Sequence, residues 1–324
     1  MRNMKKVVLS LVLMIAAVAV SAQQIAVVTS NGTTTMYQTL GDAIAGATSN
    51  SVIYLPAGGF QISDDVKITR KVTIIGVTHK ANSDNAEGNT IISGNLNFNG
   101  GSSNSAVMGC YISGDVNVGY DDTEVNNILV KYCNVNSVDV KSNKCSKTKV
   151  NQCYLRGSSN FNGADGIITN NVLHSIGYMT GGQLSNNIIV GAYYSGYGVH
   201  CVFNATISNN IINNSYYQSS TNQVTNNMFR NNTFGDDCIN LGLSSINGIF
   251  KNYQGITPAS DFELTGDYAQ YNGKVGIYCT DDGGTGFSDG CMPPVPYVSV
   301  KRIDEQTDAS GNLSVTLRVK SVSE

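Results

Sequence analysis

The sequence contains no tryptophan, three histidines and five prolines, and only 13% of its 324 residues are charged. Three of the five prolines lie within residues 293–296, so the rest of the chain is nearly free of them. Heptads and long amphipathic stretches are also absent, which argues against a helical architecture. Glycine, asparagine, serine and threonine are abundant instead, and these are the residues of turns. We therefore expect short strands connected by frequent turns.

Long apolar runs are scarce, and the single long one lies near the N-terminus. Three basic residues precede the apolar run 7–20, and small residues follow it at 20–22. This order is typical of a secretory signal, so we predict that residues 1–22 are removed and that the protein is exported. Its destination is then the periplasm, the cell surface or the extracellular medium. No second run is long enough to cross a bilayer, so we expect no transmembrane segment.

Clusters of basic residues are scarce as well. The chain has 20 basic and 23 acidic residues, and three of the basic ones belong to the predicted signal. The mature chain therefore keeps 17 basic and 23 acidic residues, a net charge of −6. Phosphate binding depends on clustered Lys and Arg. We expect no nucleic-acid partner.

A six-residue unit recurs along the middle of the chain. It reads apolar, polar, variable, Cys or Asn, and then two mostly apolar positions. The seven copies begin 16 to 23 residues apart and are VMGCYI at 107–112, VKYCNV at 130–135, VNQCYL at 150–155, ITNNVL at 168–173, LSNNII at 184–189, ISNNII at 207–212 and VTNNMF at 224–229. This spacing is about one circuit of a β-helix and too short for a strand-helix-strand unit of roughly 30 residues.

The fourth position of this unit changes from Cys to Asn along the chain. In order it is Cys110, Cys133, Cys153, Asn171, Asn187, Asn210 and Asn227. Stacking circuits ~4.8 Å apart would turn this column into an internal ladder, in which the amides hydrogen-bond from turn to turn. We expect the same Asn residues to accommodate the left-handed backbone of a tight turn, and the thiols to be small buried apolar groups.

Aromatic residues form a second column ten residues after each start. Its members are Tyr178, Tyr194, Tyr217 and Phe234, with Tyr193 and Tyr216 beside it. Neighbours on a strand point to opposite faces, so one of the two aromatic columns should face solvent. Exposed Tyr rings can stack on sugars and offer hydroxyl groups, whereas an internal aromatic stack would only fill the solenoid. The predicted glycan-binding residues are Tyr178, Tyr193, Tyr194, Tyr216 and Tyr217.

The segment 36–77 resembles the start of secreted proteins of the pectate-lyase-like superfamily. The resemblance lies in the strand and Pro-x-Gly turn of 52–58, in the following strand at 71–76, and in an apolar helical face that contains Leu40 and Ile44. It implies an all-β fold, a right-handed parallel β-helix with a short N-terminal capping helix. We expect this solenoid to span residues 23–292.

The C-terminal part resembles the end of uncharacterised secreted β-helix proteins, which implies that it closes the last circuit. A Pro-rich linker at 293–296 then leads to two alternating runs, 297–302 and 313–319, which we predict to form a hairpin. Two strands alone are marginally stable. Residues 293–324 are therefore expected to dock on the helix or to pair with a partner protein.

The string Gly235-Asp236-Asp237-Cys238 resembles the GDDC segment of polygalacturonase-type glycosidases, which invert through separated acid and base carboxylates. The family's third carboxylate, its Gly-His-Gly and its Arg-Ile-Lys have no counterpart here. Only Asp236 and Asp237 carry over, as candidate acid and base, and the alternative is that they cap turn amides. A polysaccharide lyase would need a basic residue and a cation cluster, for which no motif is present.

Eight cysteines in an exported chain suggest disulfides. Cys279 and Cys291 enclose a Gly- and Asp-rich loop and form the candidate pair. The loop's Asp281, Asp282 and Asp289 could instead hold Ca²⁺, but they lack EF-hand spacing, and we predict neither a metal site nor a cofactor. The three histidines are separated along the chain and are expected to be solvated or satisfied by turns.

Three hypotheses for function follow. The first is a non-catalytic secreted or surface protein whose side wall binds glycans or mediates adhesion. The second is a polysaccharide-degrading enzyme, a glycosidase or lyase, that works on the same wall. The third is a structural component of an envelope assembly that is joined through residues 293–324. The fold alone does not choose among them.

Overall fold

The structure is a computed structural model, and it describes residues 24–80, 88–191, 196–213, 215–216, 221–230, 237–281, 286–287, 297–303 and 315–320. For 215–216, 297–303 and 315–320 the description is limited to the backbone. In chain order the strands are β1 (Ile25–Val28), β2 (Thr34–Tyr37), β3 (Ser51–Tyr54), β4 (Gly58–Gln61), β5 (Lys67–Ile68), β6 (Val72–Ile75), β7 (Thr90–Ser93), β8 (Leu96–Phe98), β9 (Ala106–Met108), β10 (Tyr111–Ile112), β11 (Val116–Val118), β12 (Leu129–Lys131), β13 (Asn134–Val135), β14 (Val138–Val140), β15 (Thr148–Asn151), β16 (Tyr154–Asn160), β17 (Gly166–Thr169), β18 (Val172–Gly177), β19 (Gly182–Ser185), β20 (Ile188–Ile189), β21 (Tyr197–His200), β22 (Thr206–Ser208), β23 (Ile211–Ile212), β24 (Ser215–Tyr216), β25 (Gln223–Thr225), β26 (Met228–Phe229), β27 (Ile239–Asn240), β28 (Phe250–Asn252), β29 (Asp261–Leu264), β30 (Tyr297–Ile303) and β31 (Val315–Lys320). The helices are α1 (Leu40–Gly46) and the 3-10 helices Tyr120–Asp122, Asn247–Ile249 and Gly266–Tyr271.

The strands coil into a parallel β-solenoid of about eight turns, so the predicted all-β parallel β-helix is confirmed. The first sheet runs β2-β1-β3-β6-β9-β12-β15-β17-β19-β22-β25. The second runs β4-β7-β10-β13-β16-β18-β20-β23-β26-β27, with β21 paired to β18 and β24. The third is β5-β8-β11-β14. Successive circuits thus each contribute a strand to the first sheet and a strand to the second, as the repeat spacing predicted, and the third sheet takes one strand from each of the four circuits between β3 and β14.

The predicted ladder lies inside the solenoid, where all seven of its residues are fully buried. Each Asn amide bonds to the next: Asn171 Nδ2 donates to Asn187 Oδ1 at 3.0 Å, and Asn187 Nδ2 donates to Asn210 Oδ1 at 3.0 Å. The amides also donate to backbone carbonyls, as Asn187 Nδ2 does to Ile168 and Ser185. The ladder side chains therefore supply hydrogen-bond partners to buried backbone groups as well as to one another.

The cysteine rungs make weaker versions of the same bonds. Cys133 N donates to Cys153 Sγ at 3.4 Å, and the Cys133 thiol donates to the Lys131 carbonyl at 3.3 Å. The Asn residues make the same two contacts: the backbone N–H of Asn187 donates to the Asn210 side chain, and the Asn187 side chain donates to the carbonyl two residues earlier, that of Ser185. Burial raises the pKa of the Cys110 thiol well above its usual value, so the thiol stays protonated inside the solenoid. Cys and Asn can share the column because both accept from one backbone N–H and donate to a carbonyl.

The left-handed residue of each turn is not the ladder residue itself, so that part of the expectation was wrong. It is the residue just before it in every copy, with φ between 50° and 68°, namely Gly109, Tyr132, Gln152, Asn170, Asn186, Asn209 and Asn226. Asn tolerates this backbone better than most residues. The later members form an outer amide ladder, since Asn209 Nδ2 donates to Asn186 Oδ1 at 3.1 Å and Asn226 Nδ2 to Asn209 Oδ1 at 2.8 Å.

The first turn is covered by a hairpin and a helix. Strand β1 pairs antiparallel with both β2 and β3, so β2 forms the edge of the first sheet. Helix α1 begins after Thr39, whose side chain accepts a hydrogen bond from Asp42 N, and it buries Leu40, Ala43 and Ile44. A short helix thus lies in the segment for which a capping helix was predicted, whereas the hairpin was not expected from the sequence.

The described residues 241–281 and 286–287, here called the returning segment, fold back over the outer face of the second sheet, where they form a second apolar core. The outward residues of that sheet include Val172, Ile188, Ile211 and Met228, and all four are buried. They share a cluster with residues of the returning segment, Ile246, Ile249, Phe250, Phe262, Leu264, Val275, Ile277 and Phe287. Two hydrogen bonds fix its course: the backbone N–H of Gly276 donates to the Asn209 carbonyl at 2.7 Å, and the side-chain amide Asn170 Nδ2 donates to the Ile277 carbonyl at 3.1 Å. This return path replaces the simple closure of the last circuit that we expected.

Strands β30 and β31 pair antiparallel, from Tyr297 opposite Lys320 to Ile303 opposite Val315. The bounds differ by a few residues from the runs that predicted a hairpin. Whether this hairpin meets a partner protein stays a prediction. Within the described residues, no helix combines the length and the apolar character needed to cross a membrane.

His79 lies against the second core and is not solvated, contrary to our expectation. Its ring is 3% exposed and packs edge-on against Tyr154 at 5.5 Å, and Tyr154 packs in turn against Phe287 at 5.4 Å. Neither ring nitrogen has a hydrogen-bond partner within the described part of the chain. Burial, assisted by the nearby charge of Lys80, lowers the pKa of His79 to about 4.

We expect the stability to depend on pH through His79. The unfolded chain binds a proton at this residue below about pH 6.5 whereas the folded chain does so only near pH 4, so the free energy of unfolding falls as the pH drops through that window. The loss is about 3 kcal/mol. Urea unfolding of the wild type and His79→Leu at pH 7 and pH 4.5 measures it. An equal pH dependence in both proteins would show that His79 is not the responsible group.

Candidate functional site

The string Gly235–Asn240 looked most like an enzyme motif, and its described residues, 237–240, continue the ladder as an eighth unit. Asp237 adopts φ 54°, as the residue before each ladder position does, and it is exposed. The backbone N–H of Asn227 donates to Cys238 Sγ at 3.4 Å, so Cys238 continues the column. Strand β27 then pairs in parallel with β26. Asp236 lies outside the described residues, and the acid and base assignment stays a prediction.

Arg156 could supply the basic residue that a lyase needs, but its side chain is held against the wall of the solenoid by hydrogen bonds. Its guanidinium donates to Asn134 Oδ1 and to the Ile112 carbonyl, the latter at 2.9 Å, and it lies 4.5 Å from the centre of the Tyr111 ring. Partial burial lowers its pKa from the usual value. These contacts on neighbouring turns give Arg156 a structural role. No carboxylate contacts the guanidinium among the residues described.

An aromatic surface lies at the corner between the second and first sheets. The loop after β18 carries Tyr178, which is 41% exposed, and the next turn carries Tyr197, His200 and Phe203, of which Phe203 is 38% exposed. Tyr178 packs edge-on against His200 at 5.3 Å, and Tyr197 stacks on His200 at 5.9 Å with 16° between the rings. We call these four residues the aromatic corner.

The backbone explains why these rings meet. Strand β18 pairs with β21 so that Ile176 lies opposite Val199 and Gly177 opposite His200. Ile176 and Val199 are buried, so His200, which follows Val199 on β21, lies on the outward face. Tyr178 lies two residues after Ile176 and is exposed where the backbone turns with φ 55°. Tyr178 N donates to the His200 carbonyl at 2.9 Å, and Gly181 N donates to the Phe203 carbonyl at 2.7 Å. Two consecutive turns therefore present their aromatic residues side by side.

Of the five tyrosines predicted to bind glycans, the structure describes the side chain of Tyr178 alone. Tyr193, Tyr194 and Tyr217 lie outside the described residues. The backbone of Tyr216 pairs with Val199 in β24. Sequence reasoning missed Tyr197, His200 and Phe203, because it counted from the repeat starts and took His200 as isolated. These residues could have been found from the pairing of β18 with β21, which places Gly177, before Tyr178, opposite His200, before Cys201.

The aromatic corner also contains a thiol. Cys201 follows His200 with φ 50°, and its Sγ lies 3.2 Å from His200 Nε2. Both side chains are half-buried. His174 lies elsewhere on the second sheet, and burial lowers its pKa. Throughout the described ranges, no three His, Cys, Asp or Glu side chains converge as metal ligands would.

The predicted disulfide and the calcium alternative reach beyond what the structure describes. Cys279 is fully buried, and its thiol donates to the Lys274 carbonyl at 3.1 Å. Cys291 lies outside the described residues. Asp281 is exposed, and Asp282 and Asp289 are not described. The Cys279–Cys291 bridge stays a prediction.

The chain matches no protein-family model, no curated protein and no solved structure.

Proposed function

We propose that this chain is an exported, non-catalytic β-helix protein that binds glycans, or mediates adhesion to them, through its side wall at the aromatic corner. The observation that carries the proposal is the grouping of Tyr178, Tyr197, His200 and Phe203 on two adjacent turns, with two rings more than a third exposed. Single exposed apolar residues are ordinary on a surface, but exposed rings grouped on adjacent turns are typical of a binding surface.

The chemistry of the corner suits a sugar. Aromatic rings offer a flat apolar face to the C–H groups of a pyranose, while the Tyr hydroxyls and the imidazole supply polar contacts at the edges. The solenoid holds these residues on paired backbone, so little order has to be gained on binding. A rigid wall of this kind favours a repetitive ligand such as a polysaccharide.

The experiment is a glycan array probed with the mature protein and with the double variant Tyr178→Ala, Phe203→Ala. We expect the wild type to capture a subset of glycans and the variant to lose about tenfold or more in affinity for them, because two stacking faces are removed. The control is Tyr54→Ala, which removes an exposed ring from the first turn. No captured glycan, or equal capture by wild type and double variant, would refute the proposal.

The enzyme alternative is tested by Asp237→Ala. Because Asp237 occupies the left-handed turn position of an eighth ladder unit, we expect no glycan cleavage by the wild type and no functional change in the variant beyond a small loss of stability. Incubation with pectins, uronate polymers and host glycans, followed by assays for new reducing ends and unsaturated products, measures this. Turnover that disappears in Asp237→Ala would favour the glycosidase.

A further inference from the structure

A polar cleft of about 570 Å³ opens where the returning segment meets the loop after β6. Lys80 lines it from the solenoid, and the other described lining residues belong to the returning segment. These are Lys251, Pro258, Ala259, Ser260, Asp261, Glu263, Asn272 and Tyr278. A volume of this size is in the range of small-molecule sites, and such sites are common where two structural units meet.

The charged side chains of the cleft are carried by a well-anchored strand pair. Strands β28 and β29 pair antiparallel, and β29 alternates between Asp261 and Glu263 in the cleft wall and Phe262 and Leu264 in the second core. The Asn272 amide holds the Leu264 backbone through two bonds of 2.8 Å. Because the buried residues fix the strand, the two carboxylates are positioned before any ligand arrives.

Lys251 lies between these carboxylates, with Nζ 3.2 Å from Asp261 Oδ2 and 2.8 Å from Glu263 Oε2. Contacts with Glu263 and then Asp261 raise the pKa of Lys251. All three side chains are more than a third exposed, so the ion pairs contribute little to stability. Their hydrogen bonds can be exchanged for bonds to a ligand at low cost.

The opposite wall carries the second positive charge. Lys80 makes no ion pair among the residues that the structure describes. Among the described lining residues, Lys80 and Lys251 balance Asp261 and Glu263, so these two positive and two negative groups give no net attraction to an anion or a cation. Tyr278 adds an aromatic ring to this lining. The cleft thus combines donors, acceptors and one ring without net charge.

We propose that this cleft binds one neutral saccharide unit, with Asp261 and Glu263 accepting hydrogen bonds from neighbouring hydroxyls, Lys80 and Lys251 donating, and Tyr278 contacting the sugar face. A neutral polyol uses donors and acceptors together, whereas a charged ligand would meet repulsion from one of the two pairs. The inference goes beyond the proposed function, because the cleft shares no residue with the aromatic corner.

The test is titration of the mature protein with free glucose, galactose, mannose and N-acetylglucosamine at millimolar concentrations, followed by calorimetry and by hydrogen exchange over 251–263. We expect at least one sugar to bind and to protect this segment, and we expect Asp261→Asn with Glu263→Gln to weaken binding about tenfold or more. The matched control is Asp122→Asn, which breaks an exposed ion pair of similar length, 2.8 Å to Lys144, outside the cleft.

Binding that is lost in the double variant and kept in Asp122→Asn supports the assignment. Binding of no sugar, equal binding by the double variant, or preferential binding of the zwitterion glycine would overturn it. The corner variant Tyr178→Ala, Phe203→Ala should keep the cleft site, so failure of the proposed function and failure of this inference are distinguishable. Thermal melting of each variant verifies that it is folded.

Discussion

Replacing Asn187 by Leu is expected to lower the free energy of unfolding by about 4 kcal/mol. The Asn187 amide oxygen accepts hydrogen bonds from the backbone N–H and from Nδ2 of Asn171, at 2.9 and 3.0 Å. Asn187 Nδ2 donates to the carbonyls of Ile168 and Ser185 and to Asn210 Oδ1. Leu has a similar volume but leaves these buried groups without partners, and each such group costs about 1–3 kcal/mol. Denaturant unfolding followed by circular dichroism measures the change.

Asn187→Cys is the matched variant, because Cys fills the same column in the earlier turns of the solenoid and accepts a backbone N–H there, as Cys153 does. We expect it to lose about half as much stability as Asn187→Leu, since its hydrogen bonds are longer and weaker. Asn226→Gly, in the outer ladder, keeps the left-handed backbone and should cost less than about 1 kcal/mol. If Leu were tolerated as well as Cys, the ladder would not stabilise the solenoid through hydrogen bonds.

Phe262→Ala is expected to destabilise the returning segment by about 3–5 kcal/mol, the usual cost of removing a buried Phe side chain. Phe262 is 2% exposed and packs edge-on against Phe250 at 5.3 Å. Losing it should loosen 246–264 and uncover the apolar outer face of the second sheet. Hydrogen exchange resolved by segment, together with binding of a hydrophobic dye, measures both effects.

The control for this change is Phe203→Ala, which deletes the same side chain at an exposed position and should alter stability by less than about 0.5 kcal/mol. In Phe262→Ala, exchange in the inner strands β17, β19 and β22 should stay slow, because the main core does not contain Phe262. Equal exchange over 246–264 in wild type and Phe262→Ala would contradict the second core.

The repeat predicted the solenoid well because its period is local and is set by one column. Cys110 to Asn227 could be aligned by identity at a single position, and the buried side chains follow that alignment. The eighth unit was missed because Gly235 stands where an apolar residue is expected, so the string looked like catalytic carboxylates. The positive φ at Asp237 matches that of the residue before each ladder position, and this identifies the repeat although its sequence differs.

The second core and the aromatic corner could not be predicted from the sequence. The returning segment contacts turns more than a hundred residues earlier, as in the bond between Asn170 and Ile277, and no local pattern encodes such a pairing. The fifth position of the repeat is apolar in residues such as Val172 and Ile188, which is unusual for a residue that points outward. This was the available indication that another segment packs over that face. His79 was misassigned for the same reason, because its partners come from distant segments.

Hydrogen exchange with and without a captured glycan tests the central claim most directly. We predict slower exchange at 176–181 and 197–205, where the aromatic corner lies, with the glycan recovered intact from the mixture. Exchange that is unchanged at the corner, or protection centred on Asp237 and accompanied by shortened glycan, would contradict it.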